Sequence, residues 1–506
     1  MMYLLLILAC SFMLSLALHP LVRPLACRLG LLDRPDGLRK IHAQPVPLVG
    51  GIVVFLTISL TLAGFFALSA ELRQAFDQSS VSLLALFGAA VVICAVGAID
   101  DRVGLRGRYK LAGQLLAVGV LLASGVTVEA FDLFGWHVQL GILALPFTAF
   151  WLLGSINSLN LIDGMDGMLG SVGAILALTI AALAGFAGHS DMALLAMALV
   201  GALGGFLCFN LPPAKVYLGD CGSMLIGLLI GVMALQSALK GPTTVMICLP
   251  VALLTLPIFD SAAAIARRSL TGRSIYTTDR GHLQHCLQRS GLSNRRVLLL
   301  VASLCLVTGL GTLASLALQR QVLAVASALA VIGMLTVSRL FGYAELLLVK
   351  KHIVALLLQL RHAQDRARTH ETFVRLQGSA DWQELWQSVT ETADQLNLLS
   401  VRLNVNIPAI HEGYHARWDR ILSPAETNQI WKADIPLALR NQLVGRLEFT
   451  GLVDRNAVWE KIAILSKVAE DIEQSVELLT DSFRAGAPPE PVLVAPVARL
   501  DPAQTA

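Results

Sequence analysis

The sequence predicts an all-α polytopic membrane protein of about eleven transmembrane helices, followed by a small soluble α+β domain. Three observations predict it. Hydrophobic residues make up 55% of the 506 and charged residues only 14%, whereas soluble domains carry about 25% charged residues. Apolar runs long enough to span a bilayer follow one another through the first part of the chain. Beyond residue 340 they stop, and apolar residues begin to alternate with polar ones.

The runs lie near 2–22, 48–68, 81–99, 111–128, 140–156, 168–188, 191–209, 222–239, 243–266, 297–318 and 321–338. The first, apolar from Tyr3 to Leu18, has no basic residue before it, as a secretory signal would. It is predicted to stay as an anchor with the N-terminus outside. Basic residues crowd the odd-numbered loops. Arg23, Arg28, Arg34, Arg39 and Lys40 lie in the first, and Arg102, Arg106, Arg108 and Lys110 in the third. Lys215 lies in the seventh, and the ninth runs from Arg267 and Arg268 to Arg295 and Arg296. The even loops hold only Arg73, Lys240 and Arg320. By the positive-inside rule the odd loops and the C-terminus face the cytoplasm. The net charge of +3 gives no reason to expect nucleic acid as a partner. Eight cysteines without a C-x-x-C pair suggest neither a zinc site nor a disulfide framework.

Residues 341–375, with Lys350, Lys351, Arg361, Arg366 and Arg368, are expected to form an amphipathic linker helix. The α+β domain is expected over 376–484. It would contain a helix at 380–397 bearing Trp382 and Trp386, and a strand carrying Val401, Leu403, Val405 and Ile407. Two more strands are expected at 430–437 and 443–449, then a helix at 456–482. The proline-rich tail, 485–506, is expected to be disordered. The order of elements resembles GAF-like sensory domains, and the domain is expected to regulate or to dock a partner.

The polar clusters all fall on the odd loops. In the fifth, Asn157, Asn160, Asp163 and Asp166 recur every three residues, so on a helix they share a face. Gly164 and Gly167 loosen that helix. Carboxylates beside membrane spans are costly and usually functional. Their uses are to hold a divalent cation or to move a proton; the bland alternative is a polar loop capping two helices. Asp100, Asp101 and Asp220 join them from the third and seventh loops. Five converging acids repel unless a cation neutralises them, and Mg²⁺ bridges carboxylates to phosphates.

Lys40, Lys110, Arg273, His282 and His285 supply positive charge or hydrogen-bond donors for a phosphate. His282 and His285 are also spaced as zinc ligands, but no third His accompanies them in the sequence, and a phosphate or carboxylate partner is preferred. The segment Gly219-Asp220-Cys221-Gly222-Ser223 opens a helix, where backbone N–H groups favour phosphate. Tyr217 is placed either to stack on a planar base or to anchor at the membrane interface. His19 and His189 read as structural. Metal, cationic clamps and a membrane setting suit phosphoryl transfer to a lipid; a transporter with intramembrane carboxylates is the rival.

Five segments together resemble the polyprenyl-phosphate N-acetylhexosamine-1-phosphate transferases (glycosyltransferase family 4), most of all the bacterial undecaprenyl-phosphate N-acetylglucosamine-1-phosphate transferases. They are RKIHAQPVPLVGG (39–51), AIDDR with Lys110 and Gln114 (98–114), NSLNLIDGMDGMLG (157–170), NLPPAKVYLGDCGS (210–223) and GRS…DRGHLQHCLQRSGLS (272–293). The resemblance covers residues 1–340. It implies that undecaprenyl phosphate attacks the β-phosphate of UDP-N-acetylglucosamine. The products would be undecaprenyl-pyrophosphate-sugar and UMP, the first step of a lipid-linked envelope glycan at the bacterial inner (plasma) membrane. It implies Mg²⁺ (or Mn²⁺) on Asp220 and Asp100, with Asp100, Asp101, Asp163, Asp166 and His282 catalytic. Lys40, His42, Lys110, Asn157, Asn160, Asn210, Tyr217, Arg273 and His285 would bind substrate. The partners implied are the lipid bilayer and the two substrates, and a homodimer is allowed. Two departures stand out: Gln284 replaces the middle histidine of the usual H-x-H-H, and Ile275 the proline of Arg-Ser-Pro. The competing reading is an inactive transferase-like scaffold or sensor acting through its C-terminal domain. Against it, every expected aspartate is present.

Overall fold

The computed structural model describes residues 2–33, 45–70, 73, 82–239, 244–270, 281–347, 349–350, 353, 369–377, 382–407, 412–420, 430–439, 442–452 and 458–484. Two compact units emerge. One comprises residues 1–36, 40–264 and 282–343; the other, 37–39, 265–281 and 344–506.

The first unit is a helical bundle. Its helices are α1 (Met2–Leu29), α2 (Gly50–Leu68), α3 (Leu83–Val103), α4 (Gly107–Ala123), α5 (Ala144–Ile162), α6 (Met168–Ala187), α7 (Ser190–Asn210) and α8 (Gly219–Ser237). Then come the short α9 (Cys248–Leu253), α10 (Thr255–Leu270), the short α11 (Leu283–Arg289), α12 (Asn294–Ala317) and α13 (Gln321–Val337). Among the described residues, eight helices are long and apolar enough to cross a membrane, against the eleven spans expected. Two of the remaining runs form 17-residue helices, α4 and α13, at the short end of the spanning range. The 243–266 run is not one helix. Pro257 has no N–H for the carbonyl of Leu253, and its ring crowds that carbonyl. The helix stops at Leu253 and restarts at Thr255.

Lipid tails are as apolar as leucine, so bundles in membranes are held by close packing and interhelical hydrogen bonds. Both occur here. Ser11 and Ser15 of α1 donate to the carbonyls of Ala198 and Ala202 on α7, at 2.6 and 2.8 Å. Helix α8 is the centre, buried at every residue from Cys221 to Ser237. A Cβ on Gly51 of α2 would lie 2.1 Å from the nitrogen of Gly222, and one on Gly97 of α3 would lie 2.3 Å from the Cα of Cys221. Backbones therefore touch at the start of α8. Ser155 and Trp151 of α5 bond to the carbonyls of Gly227 and Gly231 lower on the same helix.

At the opposite end of α5 from Asp163 sits a three-stranded sheet that the hydropathy pattern does not reveal. Strands β3 (Ala130–Leu133) and β4 (Trp136–Gln139) form a hairpin, and β5 (Thr244–Met246) runs parallel to β3. Phe134 and Gly135 both have positive φ, as a two-residue hairpin turn requires. At the other end, β1 (Leu32–Asp33) pairs with β2 (Val46–Pro47).

The second unit contains an antiparallel sheet. Its strands are β6 (Thr369–Gln377), β7 (Leu398–Ile407), β8 (Glu412–Arg420), β9 (Ile430–Leu439) and β10 (Gln442–Leu452), in the order β6-β8-β7-β10-β9. Helices α14 (Gln383–Gln395) and α15 (Val458–Arg484) complete it. Burial alternates along β7, and Val401, Leu403 and Val405 join Trp382, Trp386, Phe449 and Ile472 in one core. Two sequence expectations change. Residues 369–375 were expected to end the linker helix and instead open β6. Thr372, Val374 and Leu376 alternate with Glu371, Phe373 and Arg375, and the chain pairs with β8. Strand β8 itself, EGYHARWDR, is too charged to read as a strand from hydropathy. Most of the expected linker helix (354–368) and the proline-rich tail lie outside the described residues.

Candidate active site

The helix ends on one side of the bundle carry the candidate residues. Helix α3 closes with Asp100 and Asp101, and Gly104 caps it in the left-handed conformation, its N–H on the carbonyl of Asp100. That turn feeds directly into α4, whose first turn carries Lys110. The ammonium of Lys110 lies 2.9 Å from Asp100 Oδ2 and 2.9 Å from Asp220 Oδ1. One cation thus bridges two carboxylates brought from different loops. The second oxygen of Asp100 accepts the N–H of Leu105 at 2.6 Å.

Asp101 has a different task. Its two oxygens accept the backbone N–H groups of Asp220 (2.8 Å) and Cys221 (3.2 Å). It caps the start of α8, where the helix dipole favours a negative charge. Gly219 has φ +73, and a Cβ there would stand 2.5 Å from Asp101 Oδ2. The backbone donors expected to bind phosphate at this helix start are, in these two cases, already taken by Asp101.

Asn160 donates to Asp220 Oδ1 at 2.6 Å and to Ser223 Oγ at 2.7 Å. Asn157 and Gln114 exchange reciprocal amide bonds of 2.9 and 3.2 Å. The four-residue polar face expected from Asn157 to Asp166 does not exist as one face. Helix α5 ends at Ile162, Asp163 is its C-cap, and the chain then turns through Gly164 and Gly167. Asp163 takes no ion pair or side-chain hydrogen bond among the described residues. Burial, then the charges of Asp220 and Asp101, push its carboxyl up to about 8. Asp166 turns the other way. It accepts the N–H of Ala214 at 2.9 Å and the hydroxyl of Tyr217. Burial and the nearby Asp166 and Asp33 charges push the phenol up to about 12.

Asn210, expected at the nucleoside, accepts the N–H of Gly167 and donates to the carbonyl of Val216, both at 2.9 Å, so its amide ties two loops together. The 45–51 segment joins them. Tyr217 N–H bonds Pro47 O, and the N–H groups of Gly50 and Gly51 bond the carbonyls of Tyr217 and Leu218.

The histidine segment contributes a pair that the motif reading missed. His282 Nδ1 lies 2.9 Å from Asp260 Oδ2, and Leu283 N–H donates to Asp260 Oδ1 at 2.8 Å. Asp260 was legible as a lone acid inside an apolar run, itself a functional signal. Gln284, standing where the family has a histidine, packs on the Cα of Gly164: a Cβ there would lie 1.8 Å from its Nε2. His285 bonds Gln288 on its own helix at 3.2 Å. Lys40, His42 and Arg273 lie outside the described residues.

The geometry brings together Asp100, Asp101, Lys110, Asn160, Asp163 and Asp220: Lys110 bridges Asp100 and Asp220, Asp101 holds the backbone N–H of Asp220, and Asp163 feels the charges of Asp220 and Asp101. Among the described residues, no three His, Cys, Asp or Glu side chains already converge as a metal shell. The donor chemistry nonetheless suits a hard cation: oxygen ligands, an excess of negative charge, and a cation already seated between Asp100 and Asp220. An apolar cavity of about 220 Å³ between α2 and α3, lined by Phe55, Leu62, Phe87 and Leu225 among others, includes none of these acids.

Comparison with known proteins bears on this arrangement. The model of glycosyl transferase family 4 matches residues 83–238, which hold all four acids and Lys110. The chain is 30% identical over 293 residues to the "Probable undecaprenyl-phosphate N-acetylglucosaminyl 1-phosphate transferase" of Bacillus subtilis (strain 168), covering 58% of this chain and 79% of that one. It is 32% identical over 314 residues to the decaprenyl-phosphate N-acetylglucosaminephosphotransferase of Mycobacterium tuberculosis (strain ATCC 25618 / H37Rv), covering 55% and 74%. The undecaprenyl-phosphate alpha-N-acetylglucosaminyl 1-phosphate transferase of Salmonella typhi is 28% identical over 302 residues, covering 58% and 79%.

Proposed function

The chain belongs to glycosyl transferase family 4, among the polyprenyl-phosphate N-acetylglucosamine-1-phosphate transferases, and from that premise we propose the reaction in its finer terms. The donor is UDP-N-acetylglucosamine and the acceptor undecaprenyl phosphate. An oxygen of the lipid phosphate forms a bond to the donor's β-phosphorus while the bridging oxygen to the α-phosphorus leaves with UMP. One phosphoanhydride replaces another, so the protein's task is positioning and charge neutralisation.

Asp220 and Asp100 would hold Mg²⁺, which when bound neutralises the donor pyrophosphate. Asn160 fixes the Asp220 carboxylate, and Asp101 fixes the backbone from which it projects. Lys110 neutralises phosphate charge beside them. Asp163, without an ion pair or side-chain hydrogen bond among the described residues and with its carboxyl pushed up to about 8, is suited to hold or release a proton at the lipid phosphate. Tyr217, its hydroxyl held by Asp166, shapes the nucleotide end. The site faces the cytoplasm of the bacterial inner membrane, with the N-terminus outside, as the loop charges argue.

The observation that carries this reading is the Asp100–Lys110–Asp220 bridge, in which one cation joins two loops of the matched family region. Purified protein in detergent, given undecaprenyl phosphate and Mg²⁺, is expected to release UMP from UDP-N-acetylglucosamine. UDP-N-acetylgalactosamine and UDP-MurNAc-pentapeptide serve as competing donors. Release that needs the lipid and the cation and disappears in Asp220→Asn supports the proposal. Release from another donor corrects the sugar, and no release from folded protein overturns it.

A further inference from the structure

We propose that Asp260 is a positioning residue for the transfer: it holds His282 with the proton on Nδ1, leaving Nε2 for the phosphates of the reacting pair. This rests on the reaction proposed above. The geometry comes first. Asp260 lies on α10 and is 1% exposed. Both of its oxygens are engaged by the histidine segment, one by the ring of His282 and one by the N–H of Leu283. A carboxylate without a proton can only accept, so the His282 nitrogen facing it is the donor. The other ring nitrogen has no hydrogen-bond partner among the described residues, and the side chain is itself 6% exposed.

A buried carboxylate is costly unless well partnered, and no lysine or arginine pairs with this one among the described residues. A cap on Leu283 alone would not require it, since an asparagine oxygen or a serine hydroxyl accepts an N–H equally well. What only the carboxylate does is select one tautomer and one ring orientation for His282.

A second contact fixes where that ring is held. Gln284, two residues on and 4% exposed, packs against Gly164, the neighbour of Asp163. The histidine segment is therefore pinned at two points, by Asp260 on one side and by the Asp163 turn on the other. His282 is itself one of those anchor points, two residues before the glutamine that packs on the Asp163 turn.

The test uses the full chain, ¹⁵N-labelled at histidine, in detergent. The His282 signals are assigned by their loss in His282→Gln. In the unsubstituted protein they are expected to carry the pattern of a ring protonated at Nδ1. Asp260→Asn keeps an oxygen for Leu283 but offers its NH₂ to the ring, and is expected to move the proton to Nε2. UMP release should then fall about 10- to 100-fold in kcat, with KM for the donor changing by less than about threefold. Asp260→Glu should recover part of the loss, and Asp260→Asn should cost nothing further in a His282→Gln background. An unchanged tautomer pattern in Asp260→Asn, or losses that multiply in the double variant, would overturn the inference. Should Asp260→Asn fail to fold, the ¹⁵N pattern and kinetics of Asp260→Glu decide: a proton off Nδ1 in that variant with activity intact sinks the proposal. Absence of UMP release from any donor would count against the reaction itself, while the ¹⁵N pattern would still judge the Asp260–His282 link.

Discussion

Two regions of this protein are dense in charge, and they handle it in opposite ways. On one face of the C-terminal sheet, Arg402 pairs with Glu448, Arg446 with Asp434 and Glu448, and Arg417 with Asp419. The pairs around Arg446 are long, 3.7 and 3.8 Å, and their side chains are between a third and three-fifths exposed. Each acid there has its own arginine, and water does the rest. At the helix ends of the bundle, Asp100 and Asp220 share Lys110 through bonds of 2.9 Å, and backbone N–H groups and the Asn160 amide supply Asp101 and Asp220 with what cations do not. The first region is balanced and solvated. The second is left short of positive charge, and that deficit is what a substrate-bound cation can relieve.

If this contrast is right, substitutions should separate the regions by orders of magnitude. The largest effect is expected for Asp220→Asn, which removes the charge that Lys110 and Asn160 converge on; UMP release should fall by at least about 100-fold. Asn160→Ala frees that carboxylate without removing it, and kcat should drop about 10- to 100-fold. Gly219→Ala puts a side chain at φ +73, against Asp101. The backbone alone costs about 1–2 kcal/mol, so the melting temperature should fall by a few degrees together with activity.

A subtler effect concerns pH. The carboxyl of Asp163 stands at about 8 against an ordinary 3.8, so the folded chain binds this proton more tightly than the unfolded one. Its contribution to stability is complete below pH 4 and is lost as pH rises towards 8. Asp163→Asn should flatten that decline, so melting curves across this window should show the variant gaining on the parent as pH rises. A parent gaining stability through the same window would contradict the assignment. The smallest effect belongs to the sheet: Arg446→Gln should change stability by no more than about 0.5 kcal/mol and leave UMP release unaltered. A large loss there would erase the contrast.

The same contrast explains what was legible in advance. The apolar runs announced the bundle because membrane burial leaves a one-dimensional signature, and the loop acids stood out because they interrupt it. Proximity was legible only in part. Five acids were expected to meet from their loop positions; Asp100, Asp101, Asp163 and Asp220 lie together, whereas Asp166 serves Ala214 and Tyr217. That Asp101 would cap α8 and Asn210 would tie Gly167 to Val216 did not follow, since both depend on backbone groups that have no letter in the sequence. The fifth-loop repeat misled because it assumed a helix through Gly164. The proline at 257 broke a run that hydropathy alone kept whole. In the soluble domain, strands half-buried with period two were found, whereas β8, with Glu412, Arg417, Asp419 and Arg420, was missed because its charges mask its alternation. Lys40, His42 and Arg273 lie outside the described residues.

The glycine contacts at the head of α8 have a consequence for how such a protein can diversify. Gly51 and Gly97 let two neighbouring helices touch α8 within three residues of Asp220. There is no slack there for a sequence to explore, because even one methyl group would act as a wedge beneath the acid. New donor preferences must then arise elsewhere, in parts that can change shape without moving that floor. The short histidine helix is such a part, and the glutamine it carries at 284 is the kind of change that this rigid base permits.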